Sequence, residues 1–83
     1  QPRNVRVLDG DSVSITFWVS GDGVTYQWYV AKPGSDTFYE SSNKSDTYRT
    51  TMSASVSGRR VYCVATDKYG NSVTSDIVTM EMR

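Results

Sequence analysis

Few residues in this 83-residue chain have types and spacing that could do chemistry. Cys63 is the one thiol, and no histidine is present to take its proton or to bind a metal ion beside it. A single cysteine also excludes an internal disulfide and a thiolate zinc cage. Its neighbours at spacing two, Val61 and Ala65, give it the parity of an inert core thiol. Five aspartates, Asp9, Asp11, Asp22, Asp46 and Asp67, could in principle converge on calcium, which takes several carboxylate oxygens. They fall into turns at opposite ends of the chain's strand pattern and lack calcium-loop spacing, so they read as solvated turn acids. Paired carboxylates for glycoside hydrolysis need a cleft and a raised pKa, neither of which a small convex domain readily provides. Gly21-Asp22-Gly23 is a turn rather than a phosphate cradle, because no helix follows it. The expectation is a protein without catalytic residues, cofactor or metal.

What remains is a set of aromatic side chains, and the elements that carry them decide where they point. Period-two alternation recurs along the chain, with no sustained helical stripe, which predicts an all-β fold. Strands are expected over residues 4–8, 12–20, 25–30, 37–40, 47–54, 60–66 and 72–82, separated by turn residues such as Asp9-Gly10-Asp11, Lys32-Pro33-Gly34-Ser35, Ser57-Gly58 and Asp67-Lys68-Tyr69-Gly70-Asn71. About seven short strands, each apolar on one side, predict a two-sheet antiparallel sandwich, with a small barrel as the alternative. Nine basic residues balance nine acidic ones, which argues against the basic footprint of a nucleic-acid or membrane-surface binder. No apolar run approaches the roughly 18 residues of a membrane-spanning helix. At this length folding hides roughly 60% of the unfolded chain's surface, so one domain over residues 1–83 with a thin core is expected.

Three strings carry a resemblance. Gly10-x-Ser12-Val13-x-Ile15-x-Phe17, Tyr26-Gln27-Trp28-Tyr29 and Tyr62-Cys63-Val64-Ala65-Thr66-Asp67 together resemble an immunoglobulin-like domain over nearly the whole chain. With Gln1-Pro2 and Asp67-x-Tyr69-Gly70-Asn71-Ser72, they are similar to the bacterial immunoglobulin-like modules of Gram-positive surface and secreted proteins. The resemblance implies a Greek-key sandwich in which Phe17, Trp28 and Cys63 form the structural core, with Phe17 standing where the partner cysteine of that fold would be. Val61 stands where the tyrosine corner of antibody-type domains would be, which favours the bacterial kind. Isopeptide cross-links found in such surface proteins need a buried mid-strand lysine, whereas Lys32, Lys44 and Lys68 fall in turns or at strand ends. Asn43-Lys44-Ser45 matches a glycosylation acceptor, a short pattern common by chance.

If Phe17, Trp28 and Cys63 face inward, parity turns Gln27, Tyr29, Tyr62 and Val64 outward on one sheet and Trp18 outward on the other. The first four are the candidate partner-binding surface. The functional expectation is a non-catalytic spacer or adhesion unit of a bacterial cell-surface or secreted protein, extracellular and excised from a longer chain. Neighbouring domains are its expected partners, with a host or cell-wall protein or glycan as a further one. Nucleic acid and membrane insertion are not expected, and the chain is expected to be a monomer. The alternative is a carbohydrate-binding module accessory to a polysaccharide-degrading enzyme, using Trp18, Tyr29, Tyr39 or Tyr62 as stacking platforms.

Overall fold

A strand with one apolar side must lay that side against a second layer. In the computed structural model, which describes residues 4–83, eight strands do so in two sheets, with no helix among the described residues. They are β1 (Val5–Val7), β2 (Ser12–Thr16), β3 (Thr25–Ala31), β4 (Tyr39–Glu40), β5 (Thr47–Thr51), β6 (Arg59–Thr66), β7 (Ser72–Thr74) and β8 (Val78–Met82). The larger sheet runs β1-β8-β6-β3-β4, with β7 also on β6, and the smaller one is β2-β5. Gln1 and Pro2, part of the resemblance, lie outside the described residues.

One core joins the two sheets. Val13, Ile15 and Tyr48 enter from β2 and β5, and Trp28, Val30, Val61, Cys63, Ala65, Val78 and Met80 from the larger sheet. Phe17, Met52 and Val56 close it from the connections. The Trp28 and Tyr48 rings meet between the layers with centroids 5.8 Å apart. Burying the Trp28 indole requires a partner for its N–H, and Nε1 donates to the Ser45 carbonyl at 2.7 Å. The cysteine is free, as the single-cysteine count requires, and it is buried.

Several strand limits differ from the alternation pattern. The stretch 12–20 pairs only to Thr16, because Phe17 N–H bonds the Asp46 carbonyl and the opposing chain then leaves as a loop. The stretch 37–40 shrinks to Tyr39–Glu40, and 47–54 stops at Thr51 before a run of turns at 54–58. Residues 72–82 are two strands rather than one, broken at Ser75, Asp76 and Ile77. At the break Ser75 N–H bonds the Cys63 carbonyl at 2.8 Å, and Ser75 Oγ accepts the Cys63 N–H at 2.9 Å while donating to the Asp76 carbonyl at 3.0 Å. A serine hydroxyl thus stands in for the missing strand carbonyl, which explains a polar side chain only 6% exposed.

The expected all-antiparallel pattern also has an exception. β1 pairs with β8 in parallel, Val5 opposite Met80 and Val7 opposite Met82. These two strands are separated by the rest of the chain, so no hairpin constrains their relative direction. Val5, Val7 and Met82 pack half-buried against the core from there.

Replacing Ser75 by Ala leaves the Cys63 N–H buried without an acceptor. The expected cost is about 1–3 kcal/mol, read as a lower urea midpoint with an unchanged slope. An unchanged midpoint would show that the hydroxyl does not substitute for the ladder.

Candidate functional site

β3 and β6 pair over seven positions, from Thr25 opposite Thr66 to Ala31 opposite Arg60. Trp28 sits opposite Cys63, and both side chains are fully buried. The strands' period of two therefore sends Gln27, Tyr29, Tyr62 and Val64 to the outer side of the larger sheet, where each is half-buried. Tyr29 and Tyr62 are directly opposite, and their rings stack with centroids 4.9 Å apart and planes 12° from parallel. Gln27 is opposite Val64; its Nε2 donates to the Ser41 carbonyl at 2.8 Å, and its Oε1 accepts from Lys44 Nζ.

Phe38 and Arg60 extend this face and were not singled out by the alternation pattern. The Phe38 ring meets Tyr62 edge-on at 5.0 Å, and the Arg60 guanidinium lies over Phe38, 5.5 Å from its centroid. Arg60 is in turn held by the Asp36 carboxylate at 2.9 Å and by the Ser35 carbonyl. Arg60 is legible after the fact, since it lies two residues before Tyr62 and shares its parity. Phe38 is not, because it precedes the short β4 in a stretch with no clear period.

Two shallow grooves flank the row and meet at Val64. One of about 260 Å³ is lined by Tyr26, Gln27, Tyr29, Lys44 and Thr66, and another of about 590 Å³ by Tyr62, Thr74, Ser75, Asp76 and Ile77. The larger one lies over the break between β7 and β8, where Ile77 is left 51% exposed. The face presents apolar, hydroxyl and charged groups side by side. Burial pushes the Cys63 thiol up to about 11, with the nearby Asp46 charge adding to the rise and an amide hydrogen bond from Gln27 opposing it. No three His, Cys, Asp or Glu side chains among the described residues gather around a metal-sized space.

No family model and no curated protein matches this chain.

The other exposed aromatics lie elsewhere. Trp18 follows β2 and is 70% exposed, Tyr69 is 72% exposed in the turn after β6, and Tyr39 is at the sheet edge on β4. No ring contact joins them among the described residues. The Tyr69 turn is built by Asp67, whose carboxylate accepts the N–H groups of Tyr69 and Asn71 at 2.9 Å each and the Asn71 amide at 3.2 Å. Gly70, at φ +88°, supplies the left-handed position that closes it. Of the aspartates weighed for calcium, Asp67 is thus committed to its own turn, and Asp11 accepts the Leu8 N–H at 3.2 Å. The Asn43 side chain is similarly engaged, its Nδ2 on the Thr47 carbonyl at 2.8 Å and its Oδ1 accepting the Ser45 N–H at 2.8 Å.

Lost hydration is the largest influence on the Asp67 carboxyl and acts upward, yet the donors on Asn71, Tyr69 and Gly70 together outweigh it and hold the group below its ordinary 3.8. A depressed carboxyl stabilises the fold above its unfolded pKa and loses that contribution as pH falls through the folded value. Asp67→Ala should therefore lower Tm at pH 7. Its gap from the parent should narrow as pH falls from 3.8 to below the folded value; a gap independent of pH would assign the effect to turn shape instead of carboxylate charge.

Proposed function

We propose that this chain is a non-catalytic immunoglobulin-like module of a bacterial cell-surface or secreted protein, working as a spacer and adhesion unit between neighbouring domains. The observation that carries this reading is the parallel pairing of β1 with β8. Two strands running the same way let a polypeptide enter at one end of the molecule and leave at the other, along a body whose longest dimension is 40 Å. That is the geometry a tandem array needs. A Greek-key sandwich is supported by the exchange of partners between sheets, in which β2 pairs β5 and β3 pairs β6 although β2 precedes β3 in the chain. The burial of Phe17, Trp28 and Cys63 in one core supports the same reading.

The outer face of Tyr29, Tyr62, Phe38 and Arg60 is the surface best suited to a protein partner, since aromatics and arginine dominate contact energetics. It is less suited to a sugar. A stacking platform needs free ring faces, and stacking on each other leaves Tyr29 and Tyr62 one face apiece. The carbohydrate-binding alternative would rest more on Trp18, in the connection after β2, and Tyr39, on β4.

Tethering the chain through its two ends in a force spectrometer tests the spacer role. Tension along that axis loads the β1–β8 ladder in shear, all its hydrogen bonds sharing the load at once. The expected outcome is one abrupt rupture with a length gain of about 260 Å, the difference between 83 extended residues at roughly 3.6 Å each and the 40 Å body. Gradual extension without a rupture event would contradict a load-bearing spacer.

A further inference from the structure

A sheet edge exposes unpaired N–H and C=O groups, and folded proteins blunt such edges with charge, brevity or capping. Four of the strands with an open edge here are blunted. β1 is three residues long with Arg6 at its centre, β4 has two residues and includes Glu40, and β7 has three residues ended by the Ser75 break. β5 carries Arg49 at its centre, and its Thr47 is capped by side chains, the carbonyl accepting Asn43 Nδ2 at 2.8 Å and Ser45 Oγ at 2.7 Å, the N–H donating to Ser45 Oγ at 3.2 Å.

β2 has none of these defences. It is five residues, Ser12 to Thr16, with no charge, proline or glycine. Its ladder to β5 uses the backbone of Val13 and Ile15, and the pattern continues on either side with Asp11 O to Met52 N–H and Phe17 N–H to Asp46 O. The N–H and C=O of Ser12, Ser14 and Thr16 therefore point out of the free edge, and no hydrogen bond among the described residues takes them. The three side chains are exposed hydroxyls, while Val13 and Ile15 face the core.

We propose that β2 pairs antiparallel with β2 of a second copy about a twofold axis at Ser14, joining the two small sheets into one of four strands. In that register Ser14 lies opposite the partner's Ser14, and Ser12 opposite the partner's Thr16. Three hydrogen-bonded residue pairs form, each exchanging two backbone bonds. Hydroxyls meet hydroxyls on the outer side, and Val13 meets the partner's Ile15 on the core side, so no charge is buried. The same pairing through β5 would set Arg49 against the partner's Arg49 and displace the Asn43 and Ser45 caps. The association is a homophilic contact between modules on adjacent chains. It goes beyond the spacer role and does not depend on it, because a monomeric result would remove the dimer and leave the end-to-end tether.

Sedimentation equilibrium from about 10 µM to about 1 mM should show the mass rising from 9.3 kDa toward twice that value. Ser14→Pro removes an N–H that the β2–β5 ladder does not use, and should abolish the rise with the β-sheet circular dichroism retained. Ser14→Lys, which sets two ammonium groups together at the axis, should do the same and covers the case in which the proline variant does not fold. Opposed residues in a hydrogen-bonded pair have Cα atoms about 5.5 Å apart, within disulfide reach. Ser14→Cys should therefore cross-link to itself on mild oxidation, whereas Ser12→Cys, facing a threonine, should not; the buried Cys63 stays out of the exchange. A parent chain that remains monomeric throughout, a dimer that survives both Ser14→Pro and Ser14→Lys, or equal cross-linking at Ser12 and Ser14 would each overturn the proposal.

Discussion

The rest of this structure depends on the burial of Trp28. An indole taken wholly out of water contributes more apolar area than any other side chain, but its N–H then needs an acceptor, whose absence would cost about 1–3 kcal/mol. The Ser45 carbonyl meets that need at 2.7 Å. Ser45 lies in the loop that leads into β5, so a single hydrogen bond ties the middle of the larger sheet to the smaller one. It also fixes which side of β3 faces in. Because β3 and β6 are in register over seven positions, Trp28 opposite Cys63 sets the phase of β6 as well. A slip of one residue would bury Tyr29 and Tyr62 and expose the indole.

From that phase the two surfaces of the molecule follow. The outer side of the larger sheet gathers Tyr29, Tyr62 and Phe38 under Arg60, a row whose members are half-buried against one another. The outer side of the smaller sheet is instead polar, with Ser12, Ser14 and Thr16 beside Thr47, Arg49 and Thr51. With two strands among the described residues, this sheet leaves both its edges open there, and its defences are uneven: side-chain caps and a cation on β5, nothing on β2. The unevenness matters because an undefended strand edge offers a template on which a partner's strand can add.

Much of this architecture was legible in the chain. Alternation with period two is dictated by the pleat, so Val13, Ile15, Trp28, Val61, Cys63 and Ala65 reveal their inward side without further information. The stacked pair Tyr29 and Tyr62 follows once β3 and β6 are taken as neighbours. What alternation does not encode is pairing between remote strands, and the parallel β1–β8 ladder is of that kind. Nor does it encode a break repaired by a side chain: Ser75 has the parity of a core residue, and only the two hydrogen bonds to Cys63 show why a hydroxyl belongs there. Phe38 escaped because two paired residues are too few to display a period. The open β2 edge is likewise invisible from pattern alone, since it depends on which strands lie beside it.

The chain has two tryptophans, one buried and one 70% exposed, so indole hydrogen exchange isolates the central claim. If the Trp28 N–H bond to Ser45 holds the sheets together, its indole proton exchanges only when the whole domain opens, at the free energy given by denaturant unfolding. The Trp18 proton should exchange at nearly the rate of free indole. Protection of one indole signal at the global unfolding free energy, with the other unprotected, is the result this account predicts. Two unprotected indole protons in a folded domain would contradict it.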